Sequence, residues 1–193
     1  YNQSNTKQGS WGFQVSPSVS ANLDLQQTDI GIRYTFGMYY YFDRANNDQK
    51  PIDYTHQADV WLDHAFSETL KLNVTDSFIV AQDPTLLKGG GAGTRVGGND
   101  MVNSGEITLT KDWTRQFSTA GFYGNNYILY SGKTIGASGG GINPSQADIL
   151  NRIEQNAGLD LQWQFNEETM GFVGYKFAWT QYTGDALITP TYY

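Results

Sequence analysis

The chain has 193 residues, enough for one domain of ordinary size, and no apolar run near the ~20 residues that a membrane-spanning helix needs. It has no cysteine, which excludes disulfides, thiolate metal sites and thiol nucleophiles, while 13 Tyr, 10 Phe and 5 Trp exclude a disordered chain. A formal net charge of −7 opposes binding to nucleic-acid phosphates, so nucleic acid is excluded as a partner.

In chain order the dominant signal is alternation with period two, the mark of strands whose two faces meet different surroundings. Phe13, Val15, Val19, Ala21, Leu23 and Leu25 alternate with Gln14, Ser16, Ser18, Ser20, Asn22 and Asp24. From Asp29 to Phe42 the apolar set Ile30, Ile32, Tyr34, Phe36, Met38, Tyr40 and Phe42 opposes Asp29, Gly31, Arg33, Thr35, Gly37, Tyr39 and Tyr41. Further strands are predicted over Gln57 to Phe66, Leu70 to Gln82, Asn103 to Trp113, Phe117 to Tyr130, Ala157 to Phe165 and Met170 to Tyr182. That makes about eight, many of them longer than the ~5 to 6 residues usual in soluble domains and long enough for the ~9 to 11 that a tilted strand needs to cross a bilayer. No helix is predicted, although Ile149, Leu150 and Ile153 have helical spacing within Gln146 to Gln155.

Connections alternate in length. Tight turns at Gln26 to Thr28, Ser67 to Thr69, Thr114 to Gln116 and Asn166 to Thr169 alternate with long polar stretches near 43–53, 83–100 and 132–148. Short turns at one end and long loops at the other are the organisation of an antiparallel up-and-down transmembrane β-barrel, with turns toward the periplasm and loops outside. A strand-plus-turn unit recurs in Ala58 to Glu68, Gly105 to Trp113 and Ala157 to Glu167. Large rings mark its end, as an aromatic girdle at a membrane interface requires: Phe66, Trp113, Trp163 and Phe165, with Phe42 closing an earlier strand. A soluble antiparallel sandwich is the competing architecture; strand length, alternating connections and a charged fraction of only 16% count against it.

Parity directs the charges of the polar face. Arg33, Asp59, Asp63, Glu106, Arg152, Glu154 and Asp160 point inward to a lumen, with acids in excess. Asp76 resists the scheme, because it falls in the apolar set Leu70, Leu72, Val74, Phe78 and Val80. Either a bulge after Val74 turns it inward or protein covers this strand.

Catalytic and cofactor chemistry finds no support. His56 and His64 are eight residues apart on one strand, roughly 26 Å, and cannot share a metal. The clusters Gly89-Gly90-Gly91 and Gly139-Gly140-Gly141 lack the Lys-Ser/Thr of a phosphate loop. Asp43, Asn46, Asn47, Asp48 and Asp53 lack calcium-loop spacing, and no nucleophile elbow is present. The expectation is a non-enzyme with no cofactor and no metal.

The segments Val15-Ser16-Pro17-Ser18-Val19, Thr28-Asp29-Ile30-Gly31-Ile32-Arg33-Tyr34-Thr35, Asp76 to Pro84 and Gly171-Phe172-Val173-Gly174-Tyr175-Lys176-Phe177 resemble strands of bacterial outer-membrane β-barrel proteins of the large-barrel type seen in Verrucomicrobia and related phyla. The resemblance covers nearly the whole chain and implies an outer-membrane location, with no catalytic residue to carry over. Turns on the periplasmic side would leave both ends of the chain outside, so the expectation is a 1–193 segment of a larger barrel. The function expected is a porin-like passive channel for small polar solutes or ions, with the lipid bilayer as partner. The alternative is a structural or adhesive barrel whose Gly/Asn-rich loops bind an extracellular polysaccharide or surface-layer partner.

Overall fold

A computed structural model describes residues 11–42, 50–82, 99–131 and 146–184. It contains β1 (Gly12–Val15), β2 (Ser18–Leu25), β3 (Thr28–Tyr41), β4 (Ile52–Ser67), β5 (Leu70–Ala81), β6 (Asp100–Asp112), β7 (Phe117–Leu129), α1 (Gln146–Leu150), β8 (Arg152–Gln164) and β9 (Met170–Tyr182). All the strands belong to one antiparallel sheet: β3 to β9 are neighbours in chain order, and β1 and β2 both pair with β3. β9 pairs with β8 alone, so the described strands form an up-and-down sheet that is not closed.

β1 and β2 are one strand interrupted at Ser16-Pro17. The register against β3 is the same on both sides, Val15 facing Met38 and Ser18 facing Thr35. Pro17 has no N–H to give, but its carbonyl accepts the Phe36 N–H at 3.0 Å, so one bond of that pair is lost and the alignment survives. An edge position makes this loss tolerable, and nine segments thus amount to the eight strand lengths that the alternation predicts.

Side chains shape the tight connections. Thr114 Oγ1 accepts the N–H groups of Gln116 and Phe117, and Asn166 Oδ1 accepts that of Glu168, both side chains standing in for a backbone carbonyl. The β4–β5 hairpin carries the one register shift among the described pairings, between Ala65 and Ser67.

β6 begins at Asp100 rather than at the predicted Asn103, and three other differences from expectation have identifiable reasons. β8 starts at Arg152, before the predicted Ala157, because Gln155 breaks the apolar alternation while the backbone continues to pair. β4 starts at Ile52 because polar His56, within the apolar set, finds Tyr34 Oη at 2.7 Å. Gln146 to Leu150 is a single helical turn where no helix was predicted, and Leu150 packs against a buried apolar cluster.

The sheet is sheared. Ala21, Ile32, Val60, Asp76, Gly105, Asn125, Gln155 and Trp179 form one row perpendicular to the strands. Ile32 is nine residues from the loop end of β3, Tyr41, and four from its turn end, Thr28; Trp179 is three from the loop end of β9, Tyr182, and nine from its turn end, Met170. Both edges therefore slip in the same direction by about one residue per strand, which at ~3.3 Å rise and ~4.8 Å strand spacing is a slope of about 35°.

The two faces are opposite in character. Of the Asp, Glu, Lys and Arg side chains in the strands, the register puts only Asp76 and Lys111 on the apolar face. On inner strands that face is bare: Ile32 is 52% exposed, Val60 42% and Ile107 48%. Among the described residues no second layer packs on it. The polar face is the crowded one. A Cβ on Gly31 would collide with the Trp61 ring, and one on Gly158 with the Phe122 ring, so glycine lets each ring lie flat across the neighbouring strand. The small buried core is on this same face at the loop end, where Val102 (3% exposed) and Ile128 (2%) meet Ile79, Ala81, Tyr130 and, from α1, Leu150. Phe122 and Tyr123, whose adjacency blurs the sequence alternation, simply take opposite faces.

Candidate functional site

Pairing register brings the seven charges singled out in the sequence onto one face. Arg33, Asp59 and Glu154 belong to a single cross-sheet row, Ser20–Arg33–Asp59–Ser77–Ser104–Asn126–Glu154–Thr180, in which every side chain is polar. Arg152 is one step toward the loop end; Glu106, Asp63 and Asp160 follow in successive rows toward the turns.

Some of these charges neutralise each other. Arg33 Nε and Nη2 donate to Asp59 Oδ2 at 3.1 and 3.0 Å, while Gln57 Nε2 and Ser77 Oγ each donate to Oδ1 at 2.7 Å. This satisfies a largely buried carboxylate. Arg152 Nε donates to Glu154 Oε1 at 2.6 Å and its Nη1 to the Leu150 carbonyl at 3.3 Å, tying β8 to the end of α1. Asp63 accepts only an amide hydrogen bond, from Asn73 Nδ2 at 2.7 Å, and Glu106 and Asp160 have no ion-pair partner among the described residues.

Five further strand acids share this face: Asp53 and Asp100, buried at the loop end, Asp112 at the turn end, and Asp24 and Asp29. Asp24 faces Asp29, and Asp29 faces Asp63, across three adjacent strands, with Asp29 Oδ1 buried and unpartnered among the described residues. Parity alone puts Asp24 and Asp29 on the polar face, but only the register reveals that the three acids share a row. Like charges directly opposite repel, so this row is electrostatically costly in isolation and generates a local negative potential. A recess of about 430 Å³ at the turn end includes all three, with Lys71 and Asn73.

The aromatic residues named from sequence fall on the apolar face at its two ends. At the turn end Phe66 meets His64 edge-on at 4.5 Å, Trp163 lies 5.6 Å from Phe117, and Trp113 Nε1 donates to Thr119 Oγ1 at 3.0 Å; Phe165 follows Trp163 on the same parity. Phe42 belongs to the loop end, 4.9 Å from Tyr40 and 6.4 Å from Phe13. A larger ring cluster accompanies it there, with Phe36 5.8 Å from Tyr54 and 5.4 Å from His56. Along β4 the step from Tyr54 to Phe66 is about 40 Å, or about 32 Å along a normal inclined 35° to the strand. His56 and His64, near the two ends of this band, each share a hydrogen bond through Nδ1 with a hydroxyl, of Tyr34 and Thr28, at 2.7 Å.

Most of the long stretches near 43–53, 83–100 and 132–148, including Asp43, Asn46, Asn47, Asp48 and both glycine clusters, lie outside the described residues. No family model, curated protein or solved structure matches the chain.

Proposed function

We propose that this chain is the wall of a transmembrane β-barrel in a bacterial outer membrane, part of a larger barrel. Its acid-biased polar face lines a passive path for small polar solutes and favours cations. The observation that carries the proposal is the inverted distribution of side chains: a largely apolar face, interrupted by a polar group around Asp76, with no covering layer among the described residues, backed by a face that holds nearly all the strand charge. In water such a surface, extending over the whole sheet, far exceeds the patch of a few hundred Å² that monomeric proteins tolerate. In a bilayer it is the required exterior.

Three further features support the reading. A slope of about 35° matches the ~35 to 45° strand tilt of outer-membrane barrels, and tilt and stagger are geometrically linked when a sheet closes. Rings at both ends bound an apolar zone comparable with the ~25 Å band between aromatic girdles. β1–β2 and β9 run in opposite directions, so further strands can continue the antiparallel meander from either edge until it closes.

Selectivity follows from the charges left over. With Arg33 paired to Asp59 and Arg152 to Glu154, and with Asp53 and Asp100 buried at the loop end, the potential along the path is set by Asp24, Asp29, Asp63, Glu106, Asp112 and Asp160 against Lys71 and Lys176. The test is reconstitution of the protein into planar bilayers under a KCl gradient. Steady current with a cation-favouring reversal potential supports the proposal. An inserted but silent barrel removes the channel and leaves a structural or adhesive role, and a monomer that stays in water without detergent removes the membrane assignment altogether.

A further inference from the structure

The geometry points to a second copy of this chain as the cover of a polar island on the apolar face, an inference that rests on reading that face as lipid-facing. The island consists of Asp76 on β5, Asn103 and Gly105 on β6, Asn125 on β7 and Gln155 on β8. The sequence leaves two explanations for Asp76, a bulge that turns it inward or a covering of protein. Pairing of β5 with both β4 and β6 runs in unbroken register through Asp76, so no bulge exists there and the carboxylate stays on the apolar face.

Asn103 Nδ2 reaches both carboxylate oxygens, at 2.9 and 3.0 Å, and this is a single neutral donor for a charge placed midway along the strand. Asn125 Oδ1 is buried with no partner among the described residues. Gln155 Oε1 accepts from Tyr123 Oη at 3.2 Å. Around Gly105, which contributes no side chain, lies a recess of about 280 Å³ that includes Asp76, Asn103, Tyr123 and Asn125. Lipid tails offer no hydrogen-bonding atom to such a recess.

The island is complementary to itself. Asp76 needs donors, and the amide nitrogens of Asn125 and Gln155 supply them. A two-fold axis along the membrane normal through Gly105 exchanges β5 with β7. It brings Asp76 of each copy toward the Tyr123–Asn125 side of the other, and Gly105, which has no side chain, leaves room for close approach at the axis. A partner offering only a cation would satisfy Asp76 and leave the amides unmatched.

These 193 residues contain no cysteine, so in a full protein whose other cysteines, where present, are replaced by serine the contact can be tested directly. Gly105→Cys and, one step along the same face, Ile107→Cys are introduced singly into the full protein, with Ile32→Cys, on the same face but on β3, as control. After oxidation in native membranes, a disulfide-linked homodimer from Gly105→Cys or Ile107→Cys, at least tenfold more abundant than from Ile32→Cys, is the expected result. The double variant Asp76→Leu/Asn125→Leu, combined with Ile107→Cys, should reduce the cross-link at least tenfold. Membrane-embedded protein that stays monomeric, cross-links equally at all three positions, or links to a different polypeptide overturns the inference while leaving the proposed function intact. Recovery of the protein from the aqueous phase overturns the proposed function itself.

Discussion

Val60→Arg separates lipid from water as the medium on the apolar face. Val60 is in the middle of β4, eight residues from Ile52 and seven from Ser67, and is 42% exposed on the bare face; because it lies directly across from Asp76, the variants are made in an Asp76→Asn background, where no carboxylate can neutralise the new cation. If water bathes that face, a long cationic side chain at an already exposed position changes stability by no more than about 0.5 kcal/mol. If lipid does, a guanidinium near the midplane of a barrel costs about 2 to 4 kcal/mol, a factor of roughly 30 to 1,000 in the folding equilibrium. The matched control is Thr75→Arg, one strand away on the polar face, where the register sets the new cation directly across from Glu106. Both variants are folded from urea into vesicles of defined thickness and followed by tryptophan fluorescence and by the gel-mobility difference between folded and unfolded barrels. The expected result is a loss of about 2 kcal/mol or more for Val60→Arg and less than about 1 kcal/mol for Thr75→Arg. A loss within about 0.5 kcal/mol for Val60→Arg, or equal losses for both, would refute the face assignment.

Other predictions follow from depth, crowding and charge. Leu161→Arg lies three residues from the turn end of β8, next to the Trp163 ring, so its guanidinium can reach the interface and the same vesicle assay should register only about 0 to 1 kcal/mol. Gly31→Ala puts a methyl group into the Trp61 ring and should destabilise by about 1 to 3 kcal/mol in urea titration, with a changed tryptophan emission; an unchanged midpoint would show that the ring does not rest there. Combined Asp24→Asn, Asp29→Asn and Asp63→Asn substitution should move the reversal potential in a KCl gradient toward zero, whereas Arg33→Gln, which leaves Asp59 without its cation, should move it further toward cations. If both sets leave the potential unchanged, this face does not line the path.

The strands, their faces and the tight turns were legible from residue order because a strand's side chains alternate with period two whatever its neighbours, and because Thr114 and Asn166 shape their turns from within. Three quantities needed the paired sheet. Shear, and with it the slope of the strands, depends on which residue lies across from which, and a one-dimensional pattern is blind to that offset. The same offset gathers Asp24, Asp29 and Asp63 into one row although they come from three strands, and it neutralises Asp59 through Arg33, 26 positions earlier in the chain. Finally, residue order left Asp76 between two explanations, since a bulge is a property of a pair of strands rather than of one; only the uninterrupted ladders on both of its sides keep that carboxylate on the apolar surface.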